Sequence, residues 1–433
     1  MDLLTKTVKH NPNLIKAAAS FHQSGQIPPD TYVIDLDMVR INAEKIAKET
    51  AKFHLEAYVT AKQFGRNPLV CRAITNAGLT KTIAMDIEGA KNLHRHGFPI
   101  GHIGHFGQIP TSEIKYVLEK MRPEVITVFS FEKAQQISKV AGDLKITQRL
   151  LIKVIADKRL ELMPLGGGYT EDEVFGQAKR IQELENVRIV GVTTYPAFSF
   201  SLLNKTHEAT SNFNAMVRVA NKFEKELGIK VEQINAPGRN SVKTMQLAAE
   251  KGATHVEPGH AFIGTLPEHA FLDDSPELPA VTYVTEISHF FAGHALAFGD
   301  SYMTTNGIAN LRNDIMYEYL YACIGNDPDQ ILDTLVPARP QQWWHEDLGW
   351  FSYCNLMPKL NRNFKVGDTV VFGFRPQIYR TPKGRVAVIS GIQNGKPKLL
   401  GLFDRAGVMI DREEDGPIGY SKDKTLQIMD TLR

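Results

Sequence analysis

The chain has 433 residues, more than one typical domain holds, so two domains with a generous core are expected. Its net charge of +2 comes from Lys and Arg scattered along the chain, which excludes a nucleic-acid stripe or a polybasic membrane anchor. Three cysteines without CxxC spacing (Cys71, Cys323, Cys354) argue against a disulfide framework or a structural zinc site and fit a reducing, cytoplasmic compartment. No 18-residue apolar run occurs, and residues 1–30 lack the features of a signal peptide.

In chain order, residues 1–30 read as a helical extension that packs on the C-terminal domain or on a partner subunit. From 31 to 272, short β-branched runs alternate with helical patterns, the mark of βα units on a parallel sheet. Strands are expected at 32–36, 57–60, 81–84, 100–103, 125–128, 150–155, 188–193 and 231–234, with a further short run at 255–256. Helices are expected at 131–142, 172–185, 207–227 and 241–251. Eight such units close into a (β/α)8 barrel, which presents its chemistry at the carboxyl ends of the strands. Residues 273–279 read as a linker, and 280–433, punctuated by Gly and Pro, as a mostly β domain.

The second strand runs into Lys62-Gln63-Phe64-Gly65-Arg66-Asn67-Pro68, so Lys62 sits at a strand mouth. A lysine there is ordinarily a solvated residue. Partly desolvated inside a barrel, it becomes a nucleophile able to form a Schiff base. With the strand, turn and helix of 31–43 about 25 residues before it, this stretch resembles the opening of the alanine racemase family. These are fold type III pyridoxal phosphate (PLP) enzymes with an N-terminal barrel and a C-terminal β domain. The resemblance runs from about 31 to 305 and is marked toward the YhfX-like branch, where the lysine strand ends in a very similar segment. It implies that Lys62 anchors PLP.

The same resemblance assigns further roles. Asn235-Ala236-Pro237-Gly238-Arg239-Asn240-Ser241 corresponds to the family's phosphate segment, with Asn240 and Ser241 binding and Gly238 and Arg239 supporting. As residues alone, they would equally make a capped βα turn. In Glu257-Pro258-Gly259-His260, Gly259 and His260 would face the phosphate. Glu257 would stand beside the pyridine nitrogen, where alanine racemases carry an arginine and the related decarboxylases a glutamate. A carboxylate there favours the protonated ring, a stronger electron sink; otherwise Glu257 is a glutamate ahead of a Pro-Gly turn. Tyr195 replaces a family histidine that lies against the ring, and it is either that stacking partner or a core tyrosine. Arg159 lies one residue off a family arginine.

A racemase needs a second base on the opposite face of Cα. Phe298 falls on the family's tyrosine position, which leaves His294, Asp300 and Tyr302 as candidates. The fragments His94-Arg95-His96, His102-Ile103-Gly104-His105 and Trp343-Trp344-His345-Glu346-Asp347 match no standard metal spacing and read as loop and helix-end histidines, so no metal is expected. Arg339, Trp343 and Trp344 are candidate pocket residues. The activity implied is amino acid racemisation by a homodimer whose sites lie between subunits. A PLP lyase or decarboxylase, and a PLP-carrying homeostasis protein without turnover, stand as alternatives.

Overall fold

A computed structural model of the chain describes residues 2–160, 166–299, 320–340, 353–356, 364–380, 384–411, 419–420 and 428–432. The chain falls into two compact units, each discontinuous in sequence. One comprises Ile46–Ala61 and Gly78–Gly259; the other comprises Met1–Lys45, Lys62–Ala77 and His260–Arg433.

The first unit is a closed barrel of eight parallel strands: β1 (Glu56–Thr60), β2 (Lys81–Ala84), β3 (Ile100–Ile103), β4 (Val125–Val128), β5 (Gln148–Lys153), β6 (Val187–Thr193), β7 (Gln233–Asn235) and β8 (His255–Val256). Closure runs through β8, whose His255 and Val256 pair with Glu56 and Ala57 of β1 while Asn235 of β7 pairs with His255. The strands are buried on both faces, which is why they read in sequence as continuous apolar runs rather than alternating ones. Inside the barrel, Tyr58, Ile83, Val125, Leu151 and Val190 form an apolar layer. Below that layer Glu124 joins Lys81 (2.9 Å) and Arg149 (3.1 Å). With apolar and ionic layers filling the lower barrel, the polar groups left for chemistry sit at the carboxyl ends.

The expected first barrel strand lies elsewhere. Thr31–Asp35 belongs to the second unit, antiparallel to Val281–Phe291 and parallel to Arg385–Ser390, and His255–Val256 supplies the eighth barrel strand. All five residues of Thr31–Asp35 are buried, and a strand covered on both faces has the same sequence pattern in a barrel as in the middle of a large sheet.

The second unit is built on an eleven-stranded sheet, ordered His294–Phe298, Tyr353–Leu356, Leu335–Pro340, Leu320–Ile324, Thr369–Phe372, Val281–Phe291, Thr31–Asp35, Arg385–Ser390, Lys398–Phe403, Met409–Asp411 and Gly419–Tyr420. The N-terminal helices Leu3–His10 and Pro12–Gln23 cover it: Leu4, Leu14, Ile15 and Ala18 pack with Val33, Val284, Val371, Ala387 and Ile389. The extension therefore packs on the β sheet. Asp35 ends its strand by accepting the backbone N–H groups of Asp37 and Met38 (both 3.1 Å), which starts the helix Leu36–Lys52. Asn11 and Gln393 donate to its other oxygen (2.9 and 2.6 Å), so the buried carboxylate is fully engaged although burial pushes its pKa up.

Among the described residues no helix is long and apolar enough to cross a membrane, and Cys71, Cys323 and Cys354 are buried free thiols.

Candidate active site

The polar residues of the barrel gather where its strands end. Glu257 follows β8 directly and its side chain is 2% exposed. Asn240 fixes its backbone: Asn240 Oδ1 accepts the Glu257 N–H (2.9 Å) while Asn240 Nδ2 donates to the Ala236 carbonyl (3.0 Å). Thr60, at the end of β1, donates its hydroxyl to the Glu257 carbonyl (3.1 Å) and its N–H to the Pro258 carbonyl (2.8 Å).

The carboxylate of Glu257 is held unevenly. Oε1 lies 2.7 Å from Nδ1 of His102, on β3, and accepts from Nδ2 of Asn235, on β7, at 2.6 Å. His102 is wholly buried, and its Nε2 lies 2.6 Å from the hydroxyl of Thr127, on β4. Oε2 is 3.5 Å from Nδ1 of His105, has no hydrogen-bond partner among the described residues, and is buried. Both ring nitrogens of His105 likewise lack hydrogen bonds. Burial alone would push the Glu257 carboxyl up, but His105 and His102 more than offset it and hold it well below the carboxylate range. Burial drives His105 down to about 4, so near neutral pH it is an uncharged ring.

Gly104 makes this placement possible. At φ +92° it turns the chain out of β3, and a Cβ there would stand 2.6 Å from the Thr127 carbonyl oxygen, so only glycine brings His105 to the barrel mouth. His105 stacks on Phe106 (4.5 Å between centroids), and Phe106 meets Tyr195, beyond β6, edge to face at 4.8 Å. Lys153, at the end of β5, is fully buried with Nζ 5.2 Å from the Phe129 ring centre.

The turn 236–240 leads into the helix Val242–Glu250, capped by Ser241. Gly238 has φ +112°, with a would-be Cβ 3.1 Å from Pro196, and Arg239 has φ +54°. The Ser241 N–H is donated to the Thr244 hydroxyl (2.8 Å). This is a left-handed turn before a helix N-terminus, a backbone form that favours anions. The side chain of Asn240 is committed to Glu257 and Ala236.

In the second unit, Lys62 opens the short turn Lys62–Phe64, two residues after Thr60, and is half-buried. Its Nζ lies 5.2 Å from the centre of the Tyr379 ring, and the Arg66 guanidinium lies 5.9 Å from the same ring. His260 is buried, with Nδ1 2.9 Å from the Thr265 hydroxyl. Burial, then the cations Arg375 and Lys62, push its pKa well below the imidazole range, so its ring is neutral. Gly259, at the end of the barrel unit, is buried.

The chain matches the family model "Alanine racemase, N-terminal domain" over residues 34–267 and "YhfX-like, C-terminal domain" over 351–399. It belongs to the alanine racemase family, in the YhfX-like branch. It is 30% identical over 399 residues to "Uncharacterized protein YhfX" of Escherichia coli (strain K12), covering 92% of this chain and 97% of that one. It is 26% identical over 279 residues to Alanine racemase 1 of Clostridium acetobutylicum, covering 61% of this chain and 67% of that one. Among solved structures, a D-threonine aldolase from Filomicrobium marinum superimposes with a TM-score of 0.61 at 10% identity, over 88% of this chain and 95% of that one. At that identity the likeness shows the fold alone. The family typically binds PLP and consists of PLP-dependent enzymes, mostly racemases but also lyases and decarboxylases.

Of the expected site residues, Tyr195, Gly238, Arg239, Asn240, Ser241, Glu257 and Gly259 all lie at or just beyond the carboxyl ends of barrel strands, and Lys62 follows one. His294 is exposed at the start of His294–Phe298, with Nδ1 3.3 Å from Nδ2 of Asn355. Asp300, Tyr302, Trp343 and Trp344 lie outside the described residues, as does the side chain of Arg339. Phe298 pairs in register with Tyr353, ring centres 5.9 Å apart. Arg159 is exposed and pairs with Asp157 at 2.6 Å.

His102 is not a loop or helix-end histidine, since it lies on β3, whereas His105 lies in the bend that follows it. Both are buried beside Glu257, and with it they bring three potential ligand atoms within 4.8 Å of one another. His94 and His96 do end a helix, Ile87–Arg95. The signal that could have found His102 is its place in Ile100-Gly101-His102-Ile103, a lone polar residue in an otherwise apolar barrel strand.

Proposed function

We propose that the protein is a PLP-dependent amino acid racemase in which Lys62 carries the cofactor and acts as one base, and Glu257 pairs with the ring nitrogen. The observation that carries this reading is the buried, ionised Glu257 with one oxygen engaged and the other, Oε2, without a hydrogen-bond partner. A buried carboxylate oxygen in that state suits a cationic N–H donor, and a protonated pyridine is one.

The other residues fit the same group. The turn 238–241 offers backbone N–H groups and a helix N-terminus to a phosphate dianion. Phe106 and Tyr195 supply aromatic faces and exclude water. PLP, when bound, supplies a carbonyl that condenses with amines and a ring that draws electron density from Cα. The chain's part is then to take the Cα proton at Lys62 Nζ, keep Glu257 charged, and shield both from solvent.

A second reading, a lyase or decarboxylase, is favoured by Phe298, which removes the family's second proton carrier and leaves chemistry that needs one base. A homodimer acting on a free amino acid is the assembly expected under either reading.

Borohydride reduction of the PLP-loaded chain should fix the cofactor to Lys62, and Lys62→Ala should take up no label and lose about a thousandfold in rate. Single amino acids incubated in D2O should gain deuterium at Cα and lose optical activity. Release of carbon dioxide or cleavage instead supports the second reading. A label on another lysine, or no uptake of PLP, sinks both.

A further inference from the structure

The environment of Glu257 raises a question its own charge does not answer: what keeps its carboxylate turned with one oxygen inward and one outward. Oε1 receives two donors from two different strands. Nδ2 of Asn235 can only donate, and it does so at 2.6 Å. His102 Nδ1, at 2.7 Å, must then also donate, because Oε1 is an acceptor; its Nε2 lies 2.6 Å from the Thr127 hydroxyl, which can donate to the ring or accept from it. Glu257 thus fixes a proton on Nδ1 of His102, and Thr127 engages the ring's other nitrogen. Every polar atom in the chain Thr127, His102, Glu257 Oε1 is buried and engaged, whereas Oε2 is buried and not.

We propose that His102 is a positioning residue which, locked by Thr127 and assisted by Asn235, immobilises Oε1 of Glu257, directs Oε2 at the cofactor's ring nitrogen and so sets that nitrogen's protonation state. This rests on the reading of Glu257 given above. His102 itself touches neither cofactor nor substrate. The logic is that of a ligand oriented by the hydrogen bond behind it: a carboxylate free to rotate offers its charge to water or to His105, whereas one clamped at Oε1 offers it in a single direction.

A metal ion shared by His102, His105 and Glu257 is the competing use of the same atoms, since all three lie within 4.8 Å of one another. It is disfavoured because His102 could join such a set only through a ring nitrogen, and both of its ring nitrogens are already engaged, by Glu257 Oε1 and by the Thr127 hydroxyl.

Two near-isosteric variants of the full chain separate position from bulk. In His102→Asn the amide nitrogen takes the place of Nδ1 and still donates to Glu257. In His102→Gln it takes the place of Nε2, reaches Thr127 and leaves Oε1 short of one donor. Each is loaded with PLP labelled with nitrogen-15 in the ring. The wild type and H102N should show the ring-nitrogen resonance of the protonated form. H102Q should move toward the free-base position and bind PLP about tenfold more weakly, the cost of one charge-assisted hydrogen bond.

If H102Q matches the wild type in both resonance and affinity, or if H102N and H102Q shift alike, the positioning role is wrong while the PLP reading stands. If the wild type itself takes up no PLP, the underlying reading fails and this inference with it. A stoichiometric metal ion in the purified wild type, lost from both variants, overturns it in favour of a ligand set.

Discussion

The barrel mouth and the core of the large sheet are buried to the same degree and built from opposite materials. Under the N-terminal helices, Leu4, Leu14, Ile15, Val33, Val284 and Val371 meet in an apolar cluster. At the barrel mouth, Thr60, His102, Thr127, Lys153, Asn235 and Glu257 are as deeply buried, and each carries a hydrogen bond or a charge engaged with a neighbour. Burying apolar surface stabilises by about 25 cal/mol per Å². Burying a carboxylate and two imidazoles costs desolvation that their mutual hydrogen bonds recover only in part. The sheet core is therefore where folding free energy is gained. The barrel mouth is where part of it goes into a preset electrostatic arrangement.

The comparison breaks if the two regions respond alike to substitution. The largest effect is expected at Glu257. Glu257→Gln keeps an acceptor for His102 and Asn235 and removes the charge, so stability at neutral pH should change by no more than about 1 kcal/mol. Deuterium exchange at Cα should fall about a hundredfold to a thousandfold, the scale seen when one preorganised electrostatic partner is lost. Equal exchange rates in E257Q and wild type would mean that the barrel mouth is merely packing.

Next comes the opposite case. Leu14, on Pro12–Gln23, is wholly buried against the sheet. Leu14→Ala should cost about 3 kcal/mol through lost transfer free energy and a residual cavity. Measured by urea unfolding, that loss should leave exchange at Cα per folded molecule unchanged. A variant that keeps its stability but loses exchange would show that the two regions are not separable.

The two regions also differed in how well the chain announced them. The barrel was readable because a continuous β-branched run such as Val125–Val128 can be little else, and Lys62 stood out because a Gly/Asn/Pro turn follows it. Thr31–Asp35 was assigned to the wrong sheet because burial on both faces erases the distinction. Glu257 was legible from Glu-Pro-Gly, but its partners were not: His102 lies 155 positions away, Asn235 lies 22, and no local spacing links them. Polar residues inside apolar strands were the available clue, and reading it required knowing which strands face one another across the barrel.

The smallest effect tests whether burial in the barrel penalises charge near the amino ends of the strands as it does at the mouth. His255, on β8, lies 5.4 Å from the Tyr58 ring, with Nδ1 2.8 Å from the Thr254 hydroxyl. Burial lowers its pKa to about 4, against a partial upward pull from Glu124, whereas the unfolded chain should titrate near 6.5. Above about pH 6.5 the ring is neutral in both states and contributes nothing to the pH dependence. As pH falls from there toward 4, the unfolded state takes up a proton that the folded state refuses, so stability declines; below about 4 the penalty is complete. At about 1.4 kcal/mol per unit, the loss between pH 7 and 4.5 is about 2 to 3 kcal/mol. His255→Asn keeps a polar atom near Thr254 and cannot titrate, so its acid limb should be flatter than the wild type's by that amount. Parallel limbs in the two proteins would mean that His255 accepts its proton while folded, and that the barrel admits charge below as readily as it does at Glu257.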